Sequence, residues 1–548
     1  MKSCILLVCG FFYSTLQAQE QRPDLGEIHG NFQADAQYYN TDTAIGAPVV
    51  PEKMLMNGFA NINYTRNNFT AGLRYESYLN ALQGFDPRYK GSGIPYRYAT
   101  YSMEHLEVTV GNYYEQFGNG LIFRSYEERG LGYDNAMDGV RLKYMPIKGL
   151  YLKGLIGKQR AFFGYGAGIV RGFDGEIFLN DLIQGITKDT TSRKMQVSIG
   201  GSFVSKYQQD QDPALVLPEN VGASAGRLNI NCGAFSFGGE YAYKINDPSI
   251  TNGFIYKPGD ALLLTTSYSV KGFALSLRAK RTDNMSFRSD RSATGNALFI
   301  NYLPALTRNH TYGLLTFYPY ATQPNGELGF ETELLYKIPK ETILGGKYGT
   351  EILINCSGAN GLDTTTLNDM EGRRFGYKSD YFSAEGDKYF RDVVVEISRK
   401  FTKKLKGTFV YANQLYNMEV IQGLKGKPTV YSNIYVVDIT YKIKPGNAIR
   451  FENQGLFTHQ DKGDWESLLI EYTPSSEWFV AVQDQYNFGN KDEDHRLHYL
   501  TGSVGYVKHA NRFTLSYGRQ RAGIFCVGGV CRNVPASNGV TFSVTSSF

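Results

Sequence analysis

From residue 28 the chain alternates with a period of two. Ile28, Gly30, Phe32, Ala34, Ala36 and Tyr38 share one parity, and His29, Asn31, Gln33, Asp35 and Gln37 share the other. Successive side chains of an extended strand point to opposite faces, so such a run separates an apolar phase from an aqueous one. The pattern returns at Phe69, Ala71, Leu73 and Tyr75 opposite Thr70, Arg74 and Glu76. It returns again at Leu328, Phe330, Leu334 and Tyr336 opposite Glu331 and Glu333, and at Tyr435, Val437, Ile439 and Tyr441 opposite Asp438, Thr440 and Lys442.

Soluble sandwiches alternate too, so other features must decide between a sandwich and a membrane barrel. The segments run about nine to thirteen residues, which suits a tilted membrane span, whereas soluble strands average about five or six. Short turns at 67–68, 146–149, 271–272, 339–340, 444–447, 474–477 and 508–511 alternate with longer charged loops such as 41–53, 80–95 and 357–388. Outer-membrane barrels show this asymmetry between their two ends. The 41 Tyr and 34 Phe give two interfacial girdles ample material, and the 60 Gly suit turns and close backbone approach. No apolar run reaches the length of a membrane helix, and the mean hydropathy is −0.33.

The expected architecture is therefore all-β: a single large transmembrane antiparallel β-barrel. Counting 304–309 and the turns near residues 105, 188 and 233 as short connections gives roughly 24 to 26 strands. Closure follows because an open sheet edge in lipid would leave backbone polar groups without partners. A barrel of this width is expected to enclose water unless something fills it, and a first strand at Gly26 leaves no room for a separate plug domain ahead of it.

Residues 1–18 read as a secretory signal peptide, with Lys2 ahead of an apolar run and a small-residue boundary at Ala18, leaving 19–548 as the barrel. Val8 stands where lipidation at Cys9 would require a small residue. At the other end Phe542, Val544 and Phe548 alternate with polar residues and look like a C-terminal signal for barrel assembly machinery. The implied partners are outer-membrane lipid, that machinery and other envelope proteins. The 57 basic and 52 acidic residues are well mixed, which excludes a nucleic-acid stripe.

Catalytic chemistry finds no foothold. No HExxH, CxxC pair, P-loop or nucleophile elbow occurs, and no cofactor or metal site is expected. His495 and His498 lie on opposite parities, and His29 is a solvated lumen residue beside Asp35. Cys232 and Cys356 follow apolar parity toward lipid. In Cys526-Val-Gly-Gly-Val-Cys531 a two-residue Gly528-Gly529 turn sets Cys526 opposite Cys531, about 4.5 to 5.5 Å apart at Cα, which fits a disulfide in an exported protein. The alternative is a pair of reduced thiols.

The densest unusual segment is 111–138, where Glu115, Arg124, Glu127, Glu128, Arg129, Asp134 and Asp138 are interleaved with glycines and aromatics. It is too long for a turn. The expectation is that it enters the lumen, with Arg124 and Arg129 paired to carboxylates such as Glu115, Glu127 and Asp134 to form a constriction; a solvated surface loop is the competing reading. Residues 284–312 carry Arg288, Asp290 and Arg291, which extend the same network.

The segments EQFGNGLIFRSYEERGLGYDNA, NYLPALTRNHTYG, GRQRAGIFCVGGVCRNVPASNG and TFSVTSSF together resemble a family of outer-membrane barrel proteins of Bacteroidota-type Gram-negative bacteria to which no activity is attached. The resemblance implies a barrel in the cell outer membrane. The leading functional expectation is a porin-like channel for small polar solutes. The alternative is a non-conducting barrel subunit or docking scaffold for surface-protein secretion or envelope assembly.

Overall fold

The computed structural model describes residues 25–187, 195–367, 376–383, 385–527 and 530–548. The signal peptide expected at 1–18 lies outside the described residues.

Twenty-four strands form one antiparallel sheet in chain order, from Glu27–Tyr39 to Ser537–Ser547. The first strand pairs with Met54–Arg66 on one side and with the last strand on the other, Ala34 facing Val544 and Ala36 facing Phe542. The Phe548 amide and carbonyl both bond Gly30, each at 2.9 Å. The sheet thereby closes and no edge remains.

Outward positions are apolar and exposed along each strand, as at Leu264, Leu277, Phe330, Phe409, Ile470 and Leu515. Tyr144, Tyr151, Tyr268, Tyr336, Tyr441 and Tyr472 stand outward near one rim, and Tyr38, Tyr165, Tyr243 and Tyr431 near the other. An apolar belt between two tyrosine rings is what a lipid bilayer requires of a barrel wall. Cys232 and Cys356 are free thiols on this outward parity. No helix among the described residues is long and apolar enough to cross a membrane.

One rim carries mostly short connections, including 67–68, 233–234, 271–272 and 509–510, but those between Phe178 and Met195 and between Ile338 and Thr350 are longer than the turns expected near 188 and at 339–340. At the other rim all connections but 162–163 run to seven residues or more. Two connections at the long rim do not stay there. Residues 114–136, between strands Leu106–Tyr113 and Met137–Ile147, and residues 284–325, between strands Phe273–Asp283 and Gly326–Ile338, fold into the barrel.

The expected architecture needs correction here. The strand number, 24, falls within the expected 24 to 26, but 304–309, read from the sequence as a turn between strands, lies within the second inward segment. The water-filled barrel without a plug is replaced by one filled from its own loops. Excluding a terminal plug domain says nothing about connections that turn inward.

Candidate functional site

The lumen filling is the feature that sets this barrel apart, and its first half is the insert 114–136. Residues Glu115–Gln116 pair with Arg124–Ser125, and Glu127–Glu128 with Tyr133–Asp134, giving two miniature ladders. Between the first pair the chain reverses tightly: Gly120 donates to the Phe117 carbonyl at 2.9 Å, and Gly118 has φ of +51°, a conformation that favours glycine. Phe117, Leu121, Ile122 and Phe123 are wholly buried.

Their counterpart is an apolar patch on the inner wall: Val170, Val204, Val221, Ala223, Ala242 and Ala261. Gly172 belongs to the same surface, and a Cβ there would stand 2.7 Å from the Phe117 ring. Small wall residues thus let the insert approach the sheet closely, and each buried large side chain contributes roughly 1.5–3 kcal/mol. Asn119 ties the turn to Glu240 through its amide at 2.7 Å and its side chain at 2.8 Å.

The second insert, 284–325, runs on from there to another stretch of the wall. Met285, Phe287 and Ile300 join the first cluster. Leu314, Leu315, Tyr318 and Tyr320 pack on Val394, Val410, Ala412, Ile434 and Val436. Inward side chains of the wall hold it along the way. Lys206 and Lys244 donate to the carbonyls of Arg288 and Ser286, both at 2.8 Å. Lys280 reaches the Pro304 carbonyl at 2.6 Å and Glu327 at 2.9 Å. Farther along, Arg308 pairs with Glu396 at 2.5 Å and His310 with Asp392 at 2.6 Å, and the Leu314 amide donates to Gln454 at 2.8 Å.

The two inserts also bond each other. The Arg124 amide donates to the Ile300 carbonyl at 2.8 Å, Tyr302 to that of Gly120 at 2.9 Å, and the Asn301 side chain to that of Leu121 at 3.2 Å. They form one continuous plug.

An ion cluster fastens the first insert. Arg74 contacts Glu76 at 2.7 Å, Glu127 at 2.8 Å and also Asp134. Arg160 contacts Glu76 at 2.5 Å and Asp134 at 2.6 Å, and Arg129 pairs with Glu127 at 2.9 Å. Arg74, Glu76 and Arg160 belong to the wall, the others to the insert. Three cations face three carboxylates, so the desolvated charges balance.

The residues singled out from the sequence meet different fates. Glu115 is held by Lys153 at 2.9 Å. Glu127, Arg129 and Asp134 enter the ion cluster. Arg124 instead lies over the rings of Tyr126 and Tyr302, at 4.3 and 4.1 Å, rather than on a carboxylate. Asp138 bonds Tyr165 at 2.6 Å, and His29 bonds Glu27 at 3.2 Å rather than Asp35.

Arg288, Asp290 and Arg291 fold apart from the first network. Arg288 donates to the carbonyls of Ala297 and Gly295, and Asp290 accepts from Gln208 and Ser292. Burial lowers the Arg288 guanidinium to about 10. The inner-wall alanines and valines and Arg160 escaped sequence reasoning, and Arg74 and Glu76 were read only as a polar strand face. The signal was present: apolar residues on the polar parity of consecutive strands.

The Cys526 and Cys531 backbones pair directly, as do Val527 and Val530. Their side chains, and Gly528-Gly529, lie outside the described residues. Phe542 and Val544 face outward on the closing strand, and Phe548 is exposed. Among the described residues no group of three or more His, Cys, Asp and Glu side chains is placed to hold a metal ion.

One stretch of wall escapes the filling. Gln483, Ser503, Thr514, Ser516, Thr541 and Ser543, inward on the last four strands, are half-buried, with Ser503 and Ser516 bonded to each other at 2.9 Å.

A family described as "Family of unknown function (DUF6029)" matches residues 1–548. No curated protein matches the sequence. Among solved structures, the chain is similar to the P pilus usher (PapC) translocation pore, with 8% identity, TM-score 0.45, and 95% of this chain and 99% of that chain covered. It is also similar to a mutant ferric enterobactin receptor (PfeA) of Pseudomonas aeruginosa, with 10% identity, TM-score 0.42, and coverage of 95% and 81%. OccAB4 of Acinetobacter baumannii matches at 10% identity and TM-score 0.33, covering 85% of this chain and 100% of that one.

Proposed function

The chain belongs to the DUF6029 family of unknown function, and we propose that it is an outer-membrane barrel, closed at rest, that serves as a docking subunit for envelope or surface proteins through its long loops. The single observation that carries this reading is the filled lumen. Two inserts with fully buried Phe117, Ile122, Phe287 and Leu314 run through it and are joined to the wall by ion pairs, Arg160 to Asp134 for the first and Arg308 to Glu396 for the second. A general diffusion pore needs a wide, continuous water path, and the packed inserts occupy the lumen except beside the last four strands.

The outward apolar belt and tyrosine rims support the membrane assignment. In this reading Phe542, Val544 and Phe548 form the signal read by barrel assembly machinery, and the protein is not an enzyme and carries no cofactor. Planar-bilayer recording of the purified barrel tests closure: no steady open conductance is expected, while a persistent ohmic pore would reject it. Stable co-purification of envelope proteins with the intact barrel, lost when the long loops are shortened, is the expected sign of docking.

A second reading rests on the half-buried polar strip from Gln483 to Ser543. A narrow path along it would make the protein a selective channel for small polar solutes. Brief, small conductance steps that disappear when Ser516 and Ser543 are replaced by Phe would favour that reading.

A further inference from the structure

A cavity of about 460 Å³ lies under the long loops, between the wall, both inserts and the loop that precedes the last strand. Neither docking nor conduction uses it. Its size suits a small organic molecule.

The charges lining it are mostly spent. Arg88 is held by Asp86 through Nε at 3.0 Å and Nη2 at 2.6 Å. Arg160 and Asp134 belong to the balanced cluster already described. Arg532 differs: it lines the cavity, its Nε and Nη1 meet no hydrogen-bond acceptor among the described residues, and its guanidinium lies 4.1 Å from the centre of the Phe85 ring. An unpaired guanidinium beside a largely enclosed cavity attracts an oxyanion, and a charge-assisted hydrogen bond to it is stronger than a neutral one. Tyr89 and Phe162, in edge contact with a centroid separation of 4.8 Å, supply an aromatic wall in the same cavity.

We propose that this cavity binds a small organic monoanion, its carboxylate on Arg532 and its ring-sized apolar body against Tyr89 and Phe162. Because the cavity is built from the loop rim, the ligand arrives from the long-loop side. One cation left to satisfy selects a single negative charge. The aromatic lining selects against small inorganic anions.

The test is calorimetric titration of the full-length barrel in detergent with 1-naphthoate and with its neutral isostere 1-naphthamide. Naphthoate is expected to bind about tenfold or more tightly than naphthamide. Arg532→Gln should abolish that preference while residual naphthamide binding remains, and Arg532→Lys, which keeps the charge, should retain part of it. Far-UV circular dichroism checks that the variants are folded. Absent naphthoate binding, equal affinity of the wild-type protein for both probes, or an undiminished preference in folded Arg532→Gln would each overturn the proposal. The wild-type comparison stands even if a variant fails to fold.

Discussion

Arg160→Ala is expected to loosen the first insert while leaving the barrel standing. The substitution removes contacts to Glu76 at 2.8 and 2.5 Å and to Asp134 at 2.6 Å. Two cations then face three carboxylates, and the side chains of Glu76 and Asp134 are only 1% and 6% exposed. Removing one partner of a buried pair costs about 3–5 kcal/mol. Arg74 still touches both carboxylates, which places the cost near the lower end, about 3 kcal/mol. The wall keeps every ladder bond, so the loss falls on docking of 114–136. Hydrogen exchange of the full-length protein, read on peptides from that segment, should accelerate by about two orders of magnitude. Glu76→Gln added to Arg160→Ala restores two charges against two and should recover most of the protection. Unchanged exchange in the single variant would refute the fastening role, and equal acceleration in single and double variants would refute the charge-balance argument.

Deleting residues 116–132 should raise single-channel conductance in planar bilayers, because most of the first insert goes with them; conductance identical to wild type would mean the insert does not obstruct passage. Leu264→Arg places a cation on the lipid face and should cost about 2–4 kcal/mol in a urea-driven folding equilibrium in vesicles, whereas the adjacent lumen-side Thr265→Arg should cost far less. Equal costs would contradict the register. Thiol titration of the unfolded, processed protein should count Cys232 and Cys356 without reductant and gain Cys526 and Cys531 with it; four thiols before reduction would exclude the disulfide.

The wall was legible because lipid imposes one rule on it. Every outward position at membrane depth must be apolar, and strand geometry turns that rule into strict alternation, as at Ile28 through Tyr38. The filling obeys no such period. Phe117, Leu121, Ile122 and Phe123 fall in a tight reversal, and Leu303, Leu306, Leu314 and Leu315 in irregular chain, so neither segment announces which surface it covers. Residues 304–309 therefore read as a turn between strands. Only the matching wall carried a clue: Val204, Val221, Ala223, Ala242 and Ala261 stand where water-facing positions would be polar. The acidic and basic residues of 111–138 are met by Arg74, Glu76 and Arg160, which are distant in sequence and become neighbours only when the strands are curved into a ring.

The inserts are stitched to the cylinder at both ends: one leaves at Tyr113 and returns at Met137, the other leaves at Asp283 and returns at Gly326. A stopper on a free terminus can be drawn out like a cork on a string. A stitch cannot leave, because pulling on it loads two staves at once. Unblocking this cylinder would therefore require the stitches to fold back toward their own rim, and the displaced bulk would then crowd the mouth that solutes or partners must approach.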